Sequence, residues 1–382
     1  MGLDGGYYRL AFQSVGYSSM SEFQSVERQV KVYNAGSGDY GRNIDNVKVC
    51  KHRLHSFACV NKNNVQCDLE AGVEVALDSG AYTAWRQGTP IVIDDYIEYL
   101  HANKEKFSWF ANLDIIRDPV GTLDNQRIME RAGLFPVPCF HRYEDLSFLR
   151  KYIDKYEYIA LGGMMGGGNQ SGSQAYFDSV FDLVCGDNGI PRVKIHGFGV
   201  TRSELMARYP WYSVDSSAWV QNSSFGKILV PRKRKGHGFD FTGAPWVVEV
   251  YSSPLWRRRN ISNLTPNARR IVIDFLDSEK IPLGKTEWVW HKHGTPYPQD
   301  WELSEEDMNE NRPVNKDEGH ALVRREVRNG KVHVPLIVER GVCNNVVFRQ
   351  IAIARYFDRV GDCYPYPQPF LHKAKSGRRF FV

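Results

Sequence analysis

Apolar runs alternate with amphipathic segments from about residue 46 to residue 220. Residues 73–77, 158–161 and 211–214 are short, mainly apolar stretches, whereas residues 93–102 space their apolar positions at helical intervals. Strand–helix units of this kind follow one another along this region. Strands that are apolar along most of their length are typical of a parallel sheet covered on both faces. The pattern therefore predicts an α/β protein built on parallel strands.

Two architectures satisfy this pattern, a doubly wound sheet and a (β/α)8 barrel. No Gly-x-Gly-x-x-Gly motif follows the first predicted strand, so a dinucleotide-binding sheet has no direct support. A barrel gathers the carboxyl ends of its strands at one mouth, whereas an open sheet spreads them along an edge. We therefore predict a TIM-like (β/α)8 barrel, completed by strands within 46–60 and 244–251. The polar and glycine residues that follow the predicted strands are Asp78, Asp114, His141, Gly162, Gly163, Gly197 and Asp215.

The remaining segments predict an extension at each side of the barrel. Residues 1–45 are rich in Ser, Gly, Tyr and Asn and are assigned to an N-terminal extension. Residues 46–260 form the predicted catalytic barrel. Residues 261–382 form a predicted C-terminal α+β appendage that contributes to nucleic-acid binding, with a helix at 265–276 for which Thr265 is the expected N-cap. A strand at 332–338 and a helix at 346–360 complete it.

Composition narrows the class of protein. The chain has 382 residues, a net charge of +5 and seven scattered cysteines without a Cys-x-x-Cys pair. No long apolar run and no secretory signal are visible, so we expect a cytoplasmic protein without a membrane partner. Cysteines in this arrangement favour free thiols in a reducing compartment. The nearest approach to a zinc set is His291 and His293 with Cys343 and Cys363. Surface histidines beside Trp288 and Trp290 explain this pattern better, and we predict no metal.

Two basic clusters follow the last predicted barrel strand and are interleaved with aromatic residues such as Phe239 and Trp246. Basic groups neutralise phosphates and aromatic rings stack on displaced bases, so the clusters favour a nucleic-acid partner. A solvated face is the alternative explanation for either charge run. The basic residues are Arg232, Lys233, Arg234 and Lys235 in the first cluster and Arg257, Arg258 and Arg259 in the second.

The strand ends also supply candidate chemistry. Two carboxylates facing one cleft are what cleavage at an anomeric carbon needs, and Asp78 and Asp215 are the candidates. Asp78 taken alone fits a loop-anchoring residue equally well, since Asp-Ser-Gly is also a turn sequence. Glycines at 162 and 163 would let a flat ligand approach the backbone, or form a flexible loop. Three further residues are candidates for stacking on a base, although core packing is the commoner role: Tyr82, Phe140 and Met164.

Four short motifs resemble those of the tRNA-guanine transglycosylases, and more closely the DpdA-like DNA-guanine transglycosylases of phages and bacterial modification islands. They span residues 73–220, under half of the chain, in the family's order. That family exchanges guanine in a nucleic acid for a 7-deazaguanine such as preQ0. The motifs are Asp78-Ser-Gly-Ala-Tyr82, Ala160-Leu-Gly-Gly-Met164, His196-Gly-Phe-Gly199 and Ser213-Val-Asp-Ser-Ser217.

The resemblance implies a role for each matched position. Asp215 would be the nucleophile at C1′ and Asp78 the general acid and base. Asp114 would bind the Watson–Crick edge of the base, and Gly162 and Gly163 would read the base through their backbone. His141 falls where the tRNA enzymes place a base-recognising Gln. No cofactor is implied.

The sequence departs from the tRNA branch in one respect that affects the choice of substrate. The Cys-x-Cys-x-x-Cys…His zinc site that follows the nucleophile strand in the tRNA enzymes is absent. This absence favours DNA, as a duplex with a flipped base or as a single strand, with a free 7-deazaguanine as the second substrate. Action on tRNA and a non-catalytic nucleic-acid-binding role stay open as alternatives. A homodimer is one option for assembly, and the location would be the host cytoplasm if the protein is phage-encoded.

Overall fold

The central element of the computed structural model is a parallel sheet that curls into part of a barrel. The structure describes residues 28–36, 49–60, 62–163, 170–233, 238–251, 260–292 and 327–372. The seven strands of the sheet follow the order β4-β3-β2-β8-β7-β6-β5, and every pair of neighbours is parallel. These seven strands are β2 Lys31–Ala35, β3 His52–Ser56, β4 Glu74–Asp78, β5 Cys139–His141, β6 Tyr158–Gly162, β7 Lys194–Gly197 and β8 Ser213–Ser216. They are preceded by β1 Arg28–Gln29, which is not part of this sheet.

The two outer strands of this sheet, β4 and β5, are connected through the backbone of residues 109–112. The amide of Ala111 donates to the carbonyl of Leu77 (2.8 Å), and the amide of Leu77 donates to the carbonyl of Trp109 (3.1 Å). On the other side, the amide of Val137, just before β5, donates to the carbonyl of Phe110 (2.8 Å). Both contacts are parallel bridges, so residues 109–112 lie between the two outer strands.

One strand assignment made from the sequence is confirmed and one is wrong. The strand expected within 46–60 is β3. The strand expected within 244–251 does not join the parallel sheet. It pairs antiparallel with the strand at Lys227–Val230. Its place is taken by β2, which lies between β3 and β8 although the sequence assigned it to the N-terminal extension. An apolar pattern predicts where a strand lies but not which strand it pairs with, because pairing depends on segments that are distant in the sequence.

The other strands form small antiparallel sheets. The first pairs β1 with β16, and the longest pairs β13 with β15. The sheet strand expected at 332–338 is confirmed as β15. Their bounds are β9 Lys227–Val230, β10 Arg232–Lys233, β11 Phe239–Asp240, β12 Trp246–Glu249, β13 Lys285–Lys292, β14 Val327–Arg328, β15 Lys331–Glu339 and β16 Pro365–Tyr366.

The helices follow the expected periodicity, with ends set by capping residues. Thr265 caps α9 as predicted, since its hydroxyl accepts from the Ala268 amide (3.3 Å) and Pro266 opens the helix. Asp118 caps α4 in the same way, since its carboxylate accepts from the Gly121 amide (2.9 Å). The helices are α1 Lys62–Glu70, α2 Ala81–Gln87, α3 Ile93–Asn103, α4 Pro119–Arg131, α5 Leu146–Lys155, α6 Gln170–Val184, α7 Ser203–Arg208, α8 Ala218–Ser224, α9 Pro266–Ser278 and α10 Val346–Asp362.

The C-terminal helix α10 shares the core of the parallel sheet. Its buried residues Ile351 and Ala352 belong to the same hydrophobic cluster as Val214 of β8 and Trp219 of α8. Gly361 allows this packing, because a side chain there would start 2.6 Å from the carbonyl oxygen of Val30. Part of the predicted C-terminal appendage therefore supports the sheet directly. Within the described ranges, no helix is both long and apolar enough to cross a membrane.

Candidate active site

The two candidate catalytic carboxylates stand at the carboxyl ends of β4 and β8, as the sequence predicted. Burial, and to a smaller extent the nearby carboxylates of Asp114 and Asp215, raises the pKa of Asp78 from its ordinary value of 3.8 to about 7. The Gly80 amide, 3.1 Å from Asp78 Oδ2, opposes this shift only in part. The charges of Asp114 and Asp215 act on Asp78, so the three carboxylates belong to one electrostatic site.

Asp215 is held by a backbone amide and lies beside a buried histidine. The Gly199 amide donates to Asp215 Oδ1 (2.9 Å), and His196 Nε2 lies 3.4 Å from the same oxygen. Nδ1 of His196 lies 2.6 Å from the hydroxyl of Ser213, which in turn lies 2.5 Å from the hydroxyl of Tyr158. Asp215 is 7% exposed and His196 is fully buried. Hydrogen bonds from Tyr158 through Ser213 therefore hold the His196 ring beside Asp215, inside the sheet.

Asp114 forms a second group with two residues of β5. His141 Nε2 lies 3.2 Å from Asp114 Oδ2 and 3.5 Å from Cys139 Sγ, and His141 Nδ1 lies 2.8 Å from Glu144 Oε1. Burial lowers the pKa of His141, but the neighbouring Cys139 and Asp114 outweigh it, so the pKa of His141 is raised. Burial and the Asp114 charge raise the pKa of the Cys139 thiol to about 12. Asp114 and His141, both predicted as site residues, are therefore in direct contact.

Gly162 and Gly163 have steric reasons to be glycine. A Cβ at Gly162 would lie 2.8 Å from the His141 ring and 3.0 Å from Cys139 Sγ. Gly163 is exposed with φ +77°, a conformation that favours glycine, and its Cβ would lie 3.0 Å from the Arg142 amide. Both glycines border the Asp114–His141 group. This position is compatible with backbone contact to a ligand, which the sequence had suggested.

The predicted stacking residues fall in different places. Tyr82 is 38% exposed and lies beside Trp85, with ring centroids 6.0 Å apart. Phe140 is fully buried in the hydrophobic core and stacks on Tyr176, because strand alternation turns it away from the side of β5 that carries Cys139 and His141. The structure therefore gives Phe140 a packing role instead of the predicted ligand contact. Met164 lies outside the described residues.

The structure describes two residues of the basic clusters. Arg232 is exposed, donates to the carbonyl of Ala244 (3.1 Å) and lies over the Trp246 ring (5.7 Å). Lys233 is exposed and pairs with Asp274 (2.8 Å). Lys233 is therefore partly neutralised by its own chain. The other predicted basic residues lie outside the described ranges: Arg234, Lys235, Arg257, Arg258 and Arg259. The alternative zinc set also falls partly outside them, at His293.

Four site residues received no role from the sequence. His196 lies in β7, one residue before its end, and is next to Asp215. Glu144, three residues after His141 in the sequence, orients the His141 ring. The spacing His-x-x-Glu after a strand was a usable signal for Glu144. Arg117 lies over the exposed ring of Trp85 in α2 (5.4 Å), and these two residues are far apart in sequence, so no local pattern connects them.

No protein-family model and no curated protein matches the chain. The arrangement of Asp78, Asp114 and Asp215 at one edge of a curled parallel sheet is therefore the principal evidence for function.

Proposed function

We propose that this protein is a transglycosylase that exchanges guanine in DNA for a free 7-deazaguanine, preQ0 or a derivative. The observation that carries the proposal is the carboxylate pair at the ends of β4 and β8. Asp78 has a pKa raised to about 7, partly by the charge of Asp215. A carboxyl group that keeps its proton near neutral pH beside a second carboxylate is the arrangement that glycosidic bond exchange requires.

In the proposed reaction Asp215 attacks C1′ of the target nucleotide and the bond from C1′ to guanine N9 breaks. Asp78 gives its proton to the departing guanine, and a deoxyribosyl ester of Asp215 remains. The entering 7-deazaguanine then attacks C1′, loses its N9 proton to Asp78 and releases Asp215. Each step inverts C1′, so the two together retain the β configuration. Both carboxyl groups return to their starting protonation state.

The surrounding residues fit recognition of a flat base. Asp114 offers a carboxylate oxygen that has no hydrogen-bond partner among the described residues, and the exposed backbone at Gly163 borders the Asp114–His141 group. Tyr82 and Trp85 present aromatic rings to solvent beside the Asp78 loop. Aromatic rings of this kind stack on unpaired bases regardless of sequence. A base turned out of a duplex, or one in a single strand, would therefore find both stacking and hydrogen-bonding groups here.

We also propose that the sheet is the wall of a complete (β/α)8 TIM-like barrel. The backbone hydrogen bonds of residues 109–112 to Leu77 and Val137 support an eighth strand between β4 and β5. The eight strands would then follow chain order around the barrel, and the mouth formed by their carboxyl ends would hold the site. The division of the chain into segments 1–45, 46–260 and 261–382 stays a prediction. The cytoplasmic location and the homodimer also stay predictions.

Incubation of the protein with DNA and preQ0, followed by digestion and nucleoside analysis by mass spectrometry, tests this proposal. We expect the 7-deazaguanine deoxynucleoside to appear while free guanine is released in equal amount. A parallel reaction with tRNA distinguishes the tRNA branch. Binding of DNA without base release from either polymer would contradict the proposal and favour a non-catalytic nucleic-acid-binding protein.

A further inference from the structure

We propose that Asp114, Cys139 and His141 form a binding site for one Zn²⁺ ion. The three side chains are grouped at the carboxyl edge of the sheet, and their ligand atoms all lie within 4.8 Å of one another. The proposal rests on this geometry alone and does not depend on the transglycosylase activity. It also replaces the expectation from the sequence that the protein holds no metal.

The interatomic distances suit a tetrahedral ion. His141 Nε2 lies 3.2 Å from Asp114 Oδ2 and 3.5 Å from Cys139 Sγ. Zinc bonds of about 2.0–2.1 Å to nitrogen and oxygen and about 2.3 Å to sulfur place tetrahedral ligand atoms about 3.3 Å (N to O) and 3.6 Å (N to S) apart. The two observed separations are therefore close to those of a loaded site.

The protein backbone holds the ligands in place. Cys139 and His141 are two residues apart on β5, so their side chains point to the same side of the strand. Asp114 follows the segment that bridges to Val137, directly before β5. Rigid elements of this kind keep ligand atoms in one arrangement, and little reorganisation would accompany binding.

Glu144 supplies the orientation that a metal-binding histidine needs. Its Oε1 lies 2.8 Å from His141 Nδ1, so Nδ1–H can donate to the carboxylate while Nε2 faces Asp114 and Cys139. Histidines that bind metals almost always donate their other ring N–H to such a partner. On binding, the Cys139 thiol would lose its proton to solvent, because the thiolate is the ligand form.

A ligand oxygen without a hydrogen-bond partner and a vacant fourth coordination position are also compatible with an ion. Asp114 Oδ1 is buried and has no hydrogen-bond partner among the residues that the structure describes. Gly162 permits the close approach of His141 and Cys139 to the backbone of β6, since a Cβ there would lie 2.8 Å from the His141 ring and 3.0 Å from Cys139 Sγ. Three protein ligands leave a fourth position for water or another molecule. The combination of thiolate, imidazole and carboxylate favours Zn²⁺ over Mg²⁺ or Ca²⁺, which take oxygen ligands.

The competing explanation uses hydrogen bonds alone. A protonated His141 between Glu144 and Asp114 would account for both carboxylate contacts without an ion. This explanation predicts no stoichiometric metal binding, and the two accounts are therefore separable in the absence of any nucleic acid.

Titration of the full-length protein with Co²⁺ after treatment with a chelator, followed by visible and near-ultraviolet absorption, tests the site. We expect one ion per chain with the d–d bands of tetrahedral cobalt and a thiolate-to-cobalt charge-transfer band, both reversed by Zn²⁺. Cys139→Ser should lose the charge-transfer band. Glu144→Gln, which keeps all three ligands, should weaken binding about 10–100-fold.

Cys343→Ser is the matched control, because Cys343 belongs to the alternative set with His291 and His293. It should leave the spectrum and the affinity unchanged, and circular dichroism should show that each variant is folded. Absence of stoichiometric binding would overturn the proposal. A charge-transfer band that survives in Cys139→Ser, or is lost in Cys343→Ser, would overturn it as well.

Discussion

Strand β4 carries a carboxylate at each end, and the two have opposite environments. Glu74 at the amino end accepts hydrogen bonds from Lys31 (2.8 Å) and from the Tyr33 hydroxyl (2.6 Å). Partial burial favours its neutral form, but these bonds outweigh burial and lower the pKa of Glu74. Asp78 at the carboxyl end is buried near Asp114 and Asp215, and its burial together with the charges of these two carboxylates raises its pKa to about 7.

The difference separates a stabilising end of the sheet from a reactive one. At the amino end the polar groups satisfy one another, and the Trp109 indole also donates to Tyr33 (3.0 Å). At the carboxyl end three carboxylates are held close together, which costs stability and is typical of sites that do chemistry. In barrels of parallel strands, active sites lie at the carboxyl ends and the amino ends serve stability. Substitutions on β4 should therefore affect activity at one end and folding at the other.

Of the substitutions on β4, Asp78→Asn should have the largest effect on activity. We expect the rate of base exchange to fall about 10²–10⁴-fold, because the variant cannot donate or accept the proton. The rate of the wild type should also depend on pH with an apparent pKa near 7, and this dependence should disappear in the variant. Initial rates of preQ0 incorporation from pH 5 to pH 9 check both. An unchanged rate and pH profile would remove Asp78 from the mechanism.

The stability of the protein should respond to pH through the same residue. Because the native pKa of Asp78 is about 7 and its ordinary value is 3.8, the native state holds a proton that the unfolded chain has released between these values. The contribution of Asp78 is therefore present at low pH and is lost as the pH rises through this window, by up to about 4 kcal/mol. Urea unfolding of the wild type and Asp78→Asn at pH 5 and pH 8 measures it. The variant should gain stability relative to the wild type at pH 8.

Glu74→Ala should destabilise the fold by about 1–3 kcal/mol, since it leaves the Tyr33 hydroxyl and the Lys31 ammonium without their acceptor. Glu74→Gln is the matched control and should cost less, because the amide oxygen still accepts. The contribution of the Glu74 carboxylate is lost as the pH falls through its lowered pKa, opposite to Asp78. Thermal unfolding checks the order. Equal loss of stability in Glu74→Gln and Glu74→Ala would show that the carboxylate bonds contribute little.

Trp85→Ala should have a smaller effect, confined to nucleic-acid binding. Trp85 is 47% exposed, so its removal should not affect the core. Loss of a stacking platform should weaken binding of single-stranded DNA by about 1–3 kcal/mol. Val92→Ala, also at an exposed position, is the control and should bind normally. Fluorescence anisotropy at fixed salt measures the two affinities. Equal affinities for the two variants would place DNA elsewhere.

The strand ends were the part of the site that the sequence predicted well. An apolar run that stops at a carboxylate fixes both the strand and the position of the acid, and Asp78 and Asp215 lie where expected. The central place of β2 in the sheet was missed, because residues 1–45 are rich in Ser, Gly, Tyr and Asn and were assigned to an N-terminal extension. Its identity as a central strand depends on pairing with β8, almost two hundred residues away.

Contacts between loops and the inward face of the strands were not predictable in the same way. Phe140 and His141 are neighbours in sequence, yet strand alternation buries one in the core and turns the other toward Asp114. His196 was visible as a strand-end histidine, but only the fold brings it to 3.4 Å from Asp215. Such residues gain their role from the curvature of the sheet, which periodicity does not encode.

The proposed covalent intermediate at Asp215 gives the most direct test of the account. The protein is incubated with a guanine-containing DNA oligonucleotide without an acceptor base, denatured and analysed by intact mass and peptide mapping. We predict a DNA–protein adduct in the wild type, mapped to Asp215, and no adduct in a folded Asp215→Asn variant. An adduct that maps to another residue, or that forms equally in Asp215→Asn, would contradict the assignment of Asp215 as the nucleophile.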